Sequence, residues 1–125
     1  MPGLTLDAGA LIAFERSDRR IVTLLLRNLE LGHRLAVPAA VVGQVWRDGR
    51  RQARLARLLG SAHTEVIALD DQGAREAGQL CGARGTTDVI DASVVLCARN
   101  RGDRIVTSDP DDLRALDSSI PLISA

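Results

Sequence analysis

The sequence predicts an α/β fold in which a mainly parallel sheet of about five strands carries helices on both faces. Short aliphatic and β-branched runs alternate with longer segments of helical periodicity along the whole chain, a pattern typical of parallel sheets. The 125 residues contain no internal repeat, linker or low-complexity segment, so we expect a single domain, 1–125. A hydrophobic fraction of 46% and a charged fraction of 26% are ordinary for a globular protein.

The predicted strands are short runs bounded by charged residues, glycine or proline. Pro38 is expected to stop the second strand, and Pro121 places the last strand at an edge of the sheet, because proline cannot donate to a ladder. The five predicted strands cover residues 4–6, 34–37, 65–69, 105–107 and 120–123.

Helical periodicity fills the segments between these strands. The clearest stripe begins after Ser17, which we expect to act as the N-cap, and ends at Gly32. Small residues from Ala74 to Cys81 suggest close packing of the helix that carries them. Helices are predicted after residue 7, after residue 17, over 39–46 and 50–59, after residue 70, over 88–100, and around residues 113–116.

Charge and cysteine content exclude several classes of protein. The net charge is zero, and all 16 basic residues are arginine, so no bulk positive field marks a nucleic-acid binder. Cys81 and Cys97 are widely spaced and predicted to be free, buried thiols, while His33 and His63 are assigned structural roles. No apolar run approaches the roughly 20 residues of a membrane span, and the start MPGLTLDAGA has no basic n-region. We therefore expect a cytoplasmic protein without a membrane partner.

Four aspartates stand where a parallel sheet would place a ligand site. Asp7 ends the first strand and Asp109 follows the fourth, while Asp88 and Asp91 open the long helix between them. Ligands in such sheets bind beyond the carboxyl ends of the strands, but the spacing alone does not show that all four converge. Each aspartate can also be interpreted simply as a helix N-cap, and Asp109 with Pro110 after it is one example.

Carboxylates without a lysine or histidine partner suit a hard divalent cation such as Mg²⁺. Such a cation activates water and neutralises a phosphodiester under attack. Receiver domains and haloacid-dehalogenase-type phosphotransferases need a lysine near their aspartates, and this chain has none. Neither a GxGxxG motif nor a P-loop is present.

The sequence resembles the PIN-domain family, and within it the VapC-type toxin branch. The resemblance spans essentially the whole chain and rests on three motifs in the family's order and spacing: LTLDAGALIA at Asp7, DASVVLCA at Asp91, and TSD at Thr107–Asp109. It implies a Rossmann-like, three-layer α/β/α sandwich. It also implies Mg²⁺- or Mn²⁺-dependent endoribonuclease activity, a homodimer and an antitoxin partner that blocks the site.

The resemblance assigns roles to particular residues. Asp7, Asp91 and Asp109 become the catalytic, metal-binding acids, with Thr107 and Ser108 auxiliary. We add Asp88, which the motifs do not match, as a further candidate metal ligand. Asp88, Asp111 and Asp112 lie beside the matched motifs, and for these three a cap or a solvated turn is an equal alternative.

One position departs from the family pattern. The family's second acid lies on the helix after the second strand, where VVGQVW places Gln44. An amide oxygen can ligate a metal but brings no charge, so metal affinity falls with the Coulomb term. This leaves two hypotheses: an RNA-cleaving toxin with Gln44 as an auxiliary ligand, or a degenerate PIN domain that acts as a protein- or RNA-binding module.

The only strongly basic stretch covers residues 47–57. It is interpreted either as a solvated helix face or as a surface that binds RNA or a partner protein. Aromatic residues make up 2% of the chain, so base stacking cannot dominate RNA binding. The residues assigned to this role are Arg47, Arg50, Arg51 and Arg54, with Arg57 in the same stretch.

Overall fold

Five parallel strands form one sheet in the computed structural model, which describes residues 3–125. The first two residues, which belong to the N-terminal stretch discussed above, lie outside this range. The strands are β1 (Leu4–Leu6), β2 (Leu35–Pro38), β3 (Thr64–Ile67), β4 (Arg104–Thr107) and β5 (Leu122–Ser124). Their order is β3-β2-β1-β4-β5, and every neighbouring pair is parallel. The predicted sheet is confirmed, including the edge position of the last strand.

Two groups of helices flank the sheet. Helix α1 contacts α2 and α4, the helices α5, α6 and α7 contact one another, and α3 contacts both α1 and α6. No helix formed by residues 3–125 is long and apolar enough to cross a membrane. The helices are α1 (Ala8–Glu15), α2 (Arg19–Glu30), α3 (Ala39–Val45), α4 (Ala53–Leu59), α5 (Asp71–Arg84), α6 (Val89–Arg101) and α7 (Pro110–Leu116).

The central strand β1 is fully buried because helices cover both of its faces. Leu4 and Leu6 are at most 1% exposed, and the facing residues Ile105 and Val106 of β4 are completely buried. These side chains belong to one hydrophobic cluster that also takes in residues of all seven helices. Strands buried on both faces read as continuous aliphatic runs, which is why the sequence pattern located them.

A buried carboxylate joins the amino ends of β1 and β4. Asp103 accepts hydrogen bonds from the Gly3 backbone N–H (3.0 Å) and the Thr5 hydroxyl (2.9 Å). The Nε atom of Arg101 lies 3.4 Å from its second oxygen, and the same guanidinium reaches Glu65 at 3.1 Å. This network lies at the edge of the sheet opposite the carboxyl ends of the strands. It was not predicted, since Gly102-Asp103 reads as an ordinary turn.

The helix in the basic stretch begins at Ala53 rather than at residue 50. The reason is Gln52, whose Oε1 atom accepts from the backbone N–H groups of Arg47 (2.7 Å) and Asp48 (3.0 Å). Its amide group also donates to the Val45 carbonyl at 2.9 Å. One side chain thus holds residues 46–52 in a turn, which periodicity cannot reveal.

The connection between α1 and α2 differs from the prediction in its cap. Asp18, not Ser17, caps α2 by accepting from the Ile21 N–H at 3.2 Å. Ser17 has a φ of +62°, and its N–H bonds to Phe14 while the Asp18 N–H bonds to Ala13. This is a Schellman ending with serine where glycine is usual. The Ser17 hydroxyl accepts a hydrogen bond from Arg54 of α4. A glycine at this strained position could not make this bond.

Candidate active site

Asp7 lies at the carboxyl end of the central strand and is 5% exposed. Its Oδ1 atom accepts from the Ala10 N–H at 3.0 Å, so Asp7 caps α1. This confirms the prediction that Asp7 is a helix cap. Burial raises the pKa of Asp7, a hydrogen bond from Thr107 offsets part of that rise, and the charge of nearby Asp109 adds to it. A second carboxylate therefore lies close to this buried one.

Asp109 is exposed in the turn that follows β4. Although Asp109 occupies the N-cap position of α7, its side chain makes no capping hydrogen bond. Its backbone N–H donates to the buried Thr107 hydroxyl at 2.8 Å, so Thr107 contacts both Asp7 and Asp109. Asp109 is thus the N-cap by position, with Pro110 after it as predicted, but its carboxylate makes no capping bond and is available for another partner.

Asp91 joins the same region from α6. The helix returns the chain to the amino end of β4, so its first turn lies at the carboxyl edge of the sheet. Asp88 caps α6, accepting from the Asp91 N–H at 3.0 Å. Burial raises the pKa of Asp91 to about 7, and the charges of Asp88, Asp112 and Asp7 contribute. We call these five acids the acidic cluster: Asp7, Asp88, Asp91, Asp109 and Asp112.

A close backbone approach fixes the Asp109 turn against α1. A Cβ atom built on Gly9 would lie 1.9 Å from the Ser108 hydroxyl oxygen and 3.0 Å from its backbone nitrogen. Only glycine fits at this position without a shift of the turn. Gly9 was not singled out in the sequence because LDAGAL reads simply as the start of a helix.

The acidic cluster consists of oxygen donors whose mutual repulsion a cation would relieve. Burial is the main cause of the raised pKa values of Asp7 and Asp91, and the charges of neighbouring carboxylates add to it. Within residues 3–125, no three Asp, Glu, His or Cys side chains gather tightly enough to form a finished metal site. The type and charge of the donors fit a hard divalent cation, and binding would have to draw the carboxylates closer together.

Two of the other acids differ in their environment. Asp112 lines a cleft of about 170 Å³ together with Asp88 and Asp91. It therefore belongs to the cluster, although no sequence motif distinguishes it from Asp111. Asp111 is 99% exposed and pairs with Arg114 at 3.4 Å, away from this cleft.

Gln44 is exposed on α3. Its side-chain amide makes no hydrogen bond to any residue in the described range. The helix itself contacts α1 and α6, whose first turns adjoin Asp7 and carry Asp91. The position of α3 thus agrees with the family pattern, while the side chain of Gln44 makes no polar contact with the acidic cluster.

Each predicted basic residue contacts its own chain, although the side chains of Arg50 and Arg51 remain 92% and 89% exposed. Arg47 donates to the Trp46 and Gly43 carbonyls at 2.7 and 3.1 Å, and Arg50 lies 3.5 Å from Asp48. Arg51 approaches the same carboxylate at 4.0 Å. Arg54 stacks over the Phe14 ring at 5.4 Å and borders an apolar groove of about 240 Å³ whose other lining residues are Phe14, Leu26, Leu29, Arg57, Leu58 and Ser61.

Arg16 and Arg84, which were not among the predicted site residues, lie beside the acidic cluster. Arg16 lines a cleft of about 550 Å³ with Gly9 and Ser108. Arg84 lines the smaller cleft that holds Asp88, Asp91 and Asp112. Their placement depends on tertiary packing, and no local motif marks them.

This fold, with acids from three elements at one edge of a parallel sheet, defines a known class of domain. The sequence matches the PIN domain family over residues 4–118, and the chain belongs to that family. PIN domains are generally nucleases.

Solved structures share the fold at low sequence identity. VapBC2 from Rickettsia felis, solved bound to a DNA fragment from its promoter, superposes with a TM-score of 0.69 at 14% identity, covering 97% of this chain and 97% of that one. FitAB, solved bound to a DNA fragment, gives 0.65 at 15% identity, covering 97% and 94%. A protein from Pyrobaculum aerophilum gives 0.65 at 20% identity, covering 97% and 83%. No curated protein was found to match the sequence. At these identities the structures establish the fold alone.

Proposed function

We propose that this protein is a divalent-metal-dependent endoribonuclease and the toxin of a toxin–antitoxin pair. The observation that carries the proposal is that Asp7 lies close enough to both Asp109 and Asp91 for their charges to interact, although the three acids come from separate elements. Membership of a family of nucleases supports the reaction type. The toxin–antitoxin complexes among the structural neighbours, VapBC2 and FitAB, support the biological role.

Each acid has a distinct task in this proposal. Asp7 is the buried, fixed member, held by the Ala10 N–H. Asp91 and Asp109 complete the cation site, with Asp88 as a further ligand, and Thr107 fixes the Asp109 backbone. Mg²⁺ or Mn²⁺, when bound here, supplies positive charge beside the scissile phosphate and lowers the pKa of a water. Ser108 holds the Asp109 turn against Gly9.

Metal binding and RNA cleavage test the proposal together. Calorimetry with Mg²⁺ and Mn²⁺ should give a site that Asp109→Asn weakens, and RNA hydrolysis should fall with it. Asp111→Asn is the matched control, because Asp111 lies in the same acidic segment but pairs with Arg114. Equal metal affinity and activity in the two variants would refute the assignment of Asp109.

The second candidate is a degenerate PIN domain that binds protein or RNA without cleaving it. The uncharged, exposed Gln44 at the family's second acidic position favours this candidate, as does the spread of the carboxylates. RNA binding without metal-dependent cleavage in the same assays would select it.

We further propose an antitoxin partner and a homodimer. The apolar groove bordered by Arg54 and Arg57 suits an antitoxin segment with apolar and acidic side chains. For the basic stretch, the apolar groove beside Arg54 and Arg57 favours partner binding over RNA binding. An RNA substrate implies action in the cytoplasm. Inspection of the adjacent upstream reading frame, co-purification of its product and light scattering of the isolated chain test these points.

A further inference from the structure

Two clefts lie on either side of the acidic cluster, and each contains one arginine. The larger cleft meets the cluster where Gly9 follows Asp7 and Ser108 precedes Asp109. The smaller cleft contains Asp88, Asp91 and Asp112 themselves. The order across this surface is therefore Arg16, the cluster, and Arg84.

A polyanion needs positive side chains close to such a site. The acidic cluster repels phosphates, and the chain has no net charge to attract them. A single divalent ion serves the scissile phosphate but leaves its neighbours along the strand uncompensated. Arginine suits these neighbours because its guanidinium can bind phosphate in a bidentate manner.

Arg16 lines its cleft from the end of α1, where the backbone is fixed. Its N–H bonds to the Ile12 carbonyl at 3.0 Å, and Ser17 closes the helix in the left-handed conformation. Asp18 also lines the cleft, but its carboxylate caps α2. The guanidinium of Arg16 has no ion-pair partner within the described part of the chain. Ile12, 38% exposed in the same cleft, offers an apolar surface to a sugar or base.

Arg84 lies in the last turn of α5 and is exposed. It shares its cleft with three carboxylates, yet no ion pair forms between Arg84 and any residue from 3 to 125. In contrast, Arg50 and Arg51 pair with Asp48 and Arg54 stacks on Phe14. Arg16 and Arg84 are thus the cations beside the cluster that are available to a ligand.

Building on the proposed ribonuclease function, we infer that single-stranded RNA runs from the Arg16 cleft across the acidic cluster to the Arg84 cleft. The two arginines bind the phosphates on either side of the scissile one. RNA contact is thereby assigned to Arg16 and Arg84 and not to the basic stretch at residues 47–57.

The test compares Arg16→Ala, Arg84→Ala and the double variant with the wild type. Arg104→Ala is the matched control, because Arg104 is exposed at the amino end of β4, on the opposite edge of the sheet. Binding of a short single-stranded RNA of mixed sequence is measured with Ca²⁺ in place of the catalytic metal, at several salt concentrations. Cleavage of the same RNA is then measured with Mg²⁺ or Mn²⁺.

Each single variant should weaken binding roughly tenfold, as expected for one charged hydrogen-bonded contact, and lower the salt slope by about 0.7. KM should rise while kcat stays near the wild-type value, since these contacts hold substrate and transition state alike. Arg16→Lys should keep the salt slope but recover only part of the affinity, and Arg104→Ala should match the wild type. Thermal unfolding of each variant confirms that the fold is intact.

The possible outcomes distinguish failure of the proposed RNA path from failure of the proposed ribonuclease function. If the wild type cleaves RNA but both alanine variants behave like Arg104→Ala, the path is wrong and the ribonuclease function stands. An effect at only one arginine refutes a path through both clefts. A fall in kcat with unchanged binding and salt slope would mean that the arginines act on the acidic cluster and not on RNA. If the wild type neither binds nor cleaves RNA, the path falls with the proposed function.

Discussion

Replacing Asp91 by asparagine should stabilise the metal-free protein at neutral and alkaline pH. The pKa of Asp91 is raised from an ordinary 3.8 to about 7 by burial and by the charges of Asp88, Asp112 and Asp7. The folded state therefore binds more protons than the unfolded chain between these two values. Stability must fall as pH rises through this window, and the loss is complete above about pH 7.

The magnitude follows from the same numbers. At about 1.4 kcal/mol for each tenfold change, the rise corresponds to about 4 kcal/mol before screening. Asp91 is partly exposed at the edge of a cleft, so solvent reduces this to about 1–2 kcal/mol. For a chain of this size the melting temperature should rise by about 3–8 °C. The asparagine amide can still donate to Asp88, as the protonated carboxyl does.

Thermal unfolding followed by circular dichroism, with a chelator present, provides the assay. Wild type and Asp91→Asn are compared at a pH below 3.8, the ordinary pKa of this group, and at a pH near 8, with Asp111→Asn as the exposed control. The stabilisation should appear only at the higher pH. Added millimolar Mg²⁺ should then stabilise the wild type by mass action and leave Asp91→Asn unchanged.

Two results would refute this reasoning. A stabilisation of equal size at both pH values would mean that the substitution acts through packing and not through charge. A variant less stable than the wild type at the higher pH would mean that the Asp91 carboxylate is already compensated in the metal-free fold.

Three further substitutions test other parts of the structure. Gly9→Ala should cost about 1–3 kcal/mol and reduce RNA cleavage by displacing Ser108, whereas Gly78→Ala on α5, with open space around it, should be neutral or stabilising in thermal unfolding. Asp103→Ala should cost about 3–5 kcal/mol in urea denaturation, because it strips a buried ion pair of its acid; a cost below 1 kcal/mol would contradict this. Gln44→Glu should tighten Mg²⁺ binding in calorimetry by adding an anionic ligand, and unchanged affinity would place Gln44 outside the site.

The positions of Asp7 and Asp109 were predictable because they depend on strand ends alone. In a parallel sheet the residue after each strand lies at the same edge, so locating Leu4–Leu6 and Arg104–Thr107 located both acids as well. The approach of Asp91 was not derivable in this way. It depends on how α6 packs on β1 and β2, which the spacing of residues does not specify.

The wrong predictions for α4 and α2, and the failure to predict Arg16 and Arg84, share one physical cause. The start of α4 depends on the Gln52 side chain, which accepts from the Arg47 and Asp48 N–H groups and donates to the Val45 carbonyl. The cap of α2 depends on a left-handed Ser17. Arg16 and Arg84 matter only because the fold brings their clefts to the acidic cluster. In each case the structure depends on a contact or backbone conformation of one residue, and hydrophobic periodicity contains no information about it.

The pairing of β1 with β4 has a consequence for synthesis on the ribosome. β1 is the middle strand of the sheet, yet one of its two partners begins 100 residues later, with Leu4 opposite Arg104. Such distant pairing makes folding slow, and the nascent chain cannot form this half of the sheet until residue 107 has left the exit tunnel. Asp7 emerges first but meets Asp109 only after more than 100 further residues have been added. A chain released before residue 109 has been added therefore has no assembled acidic cluster.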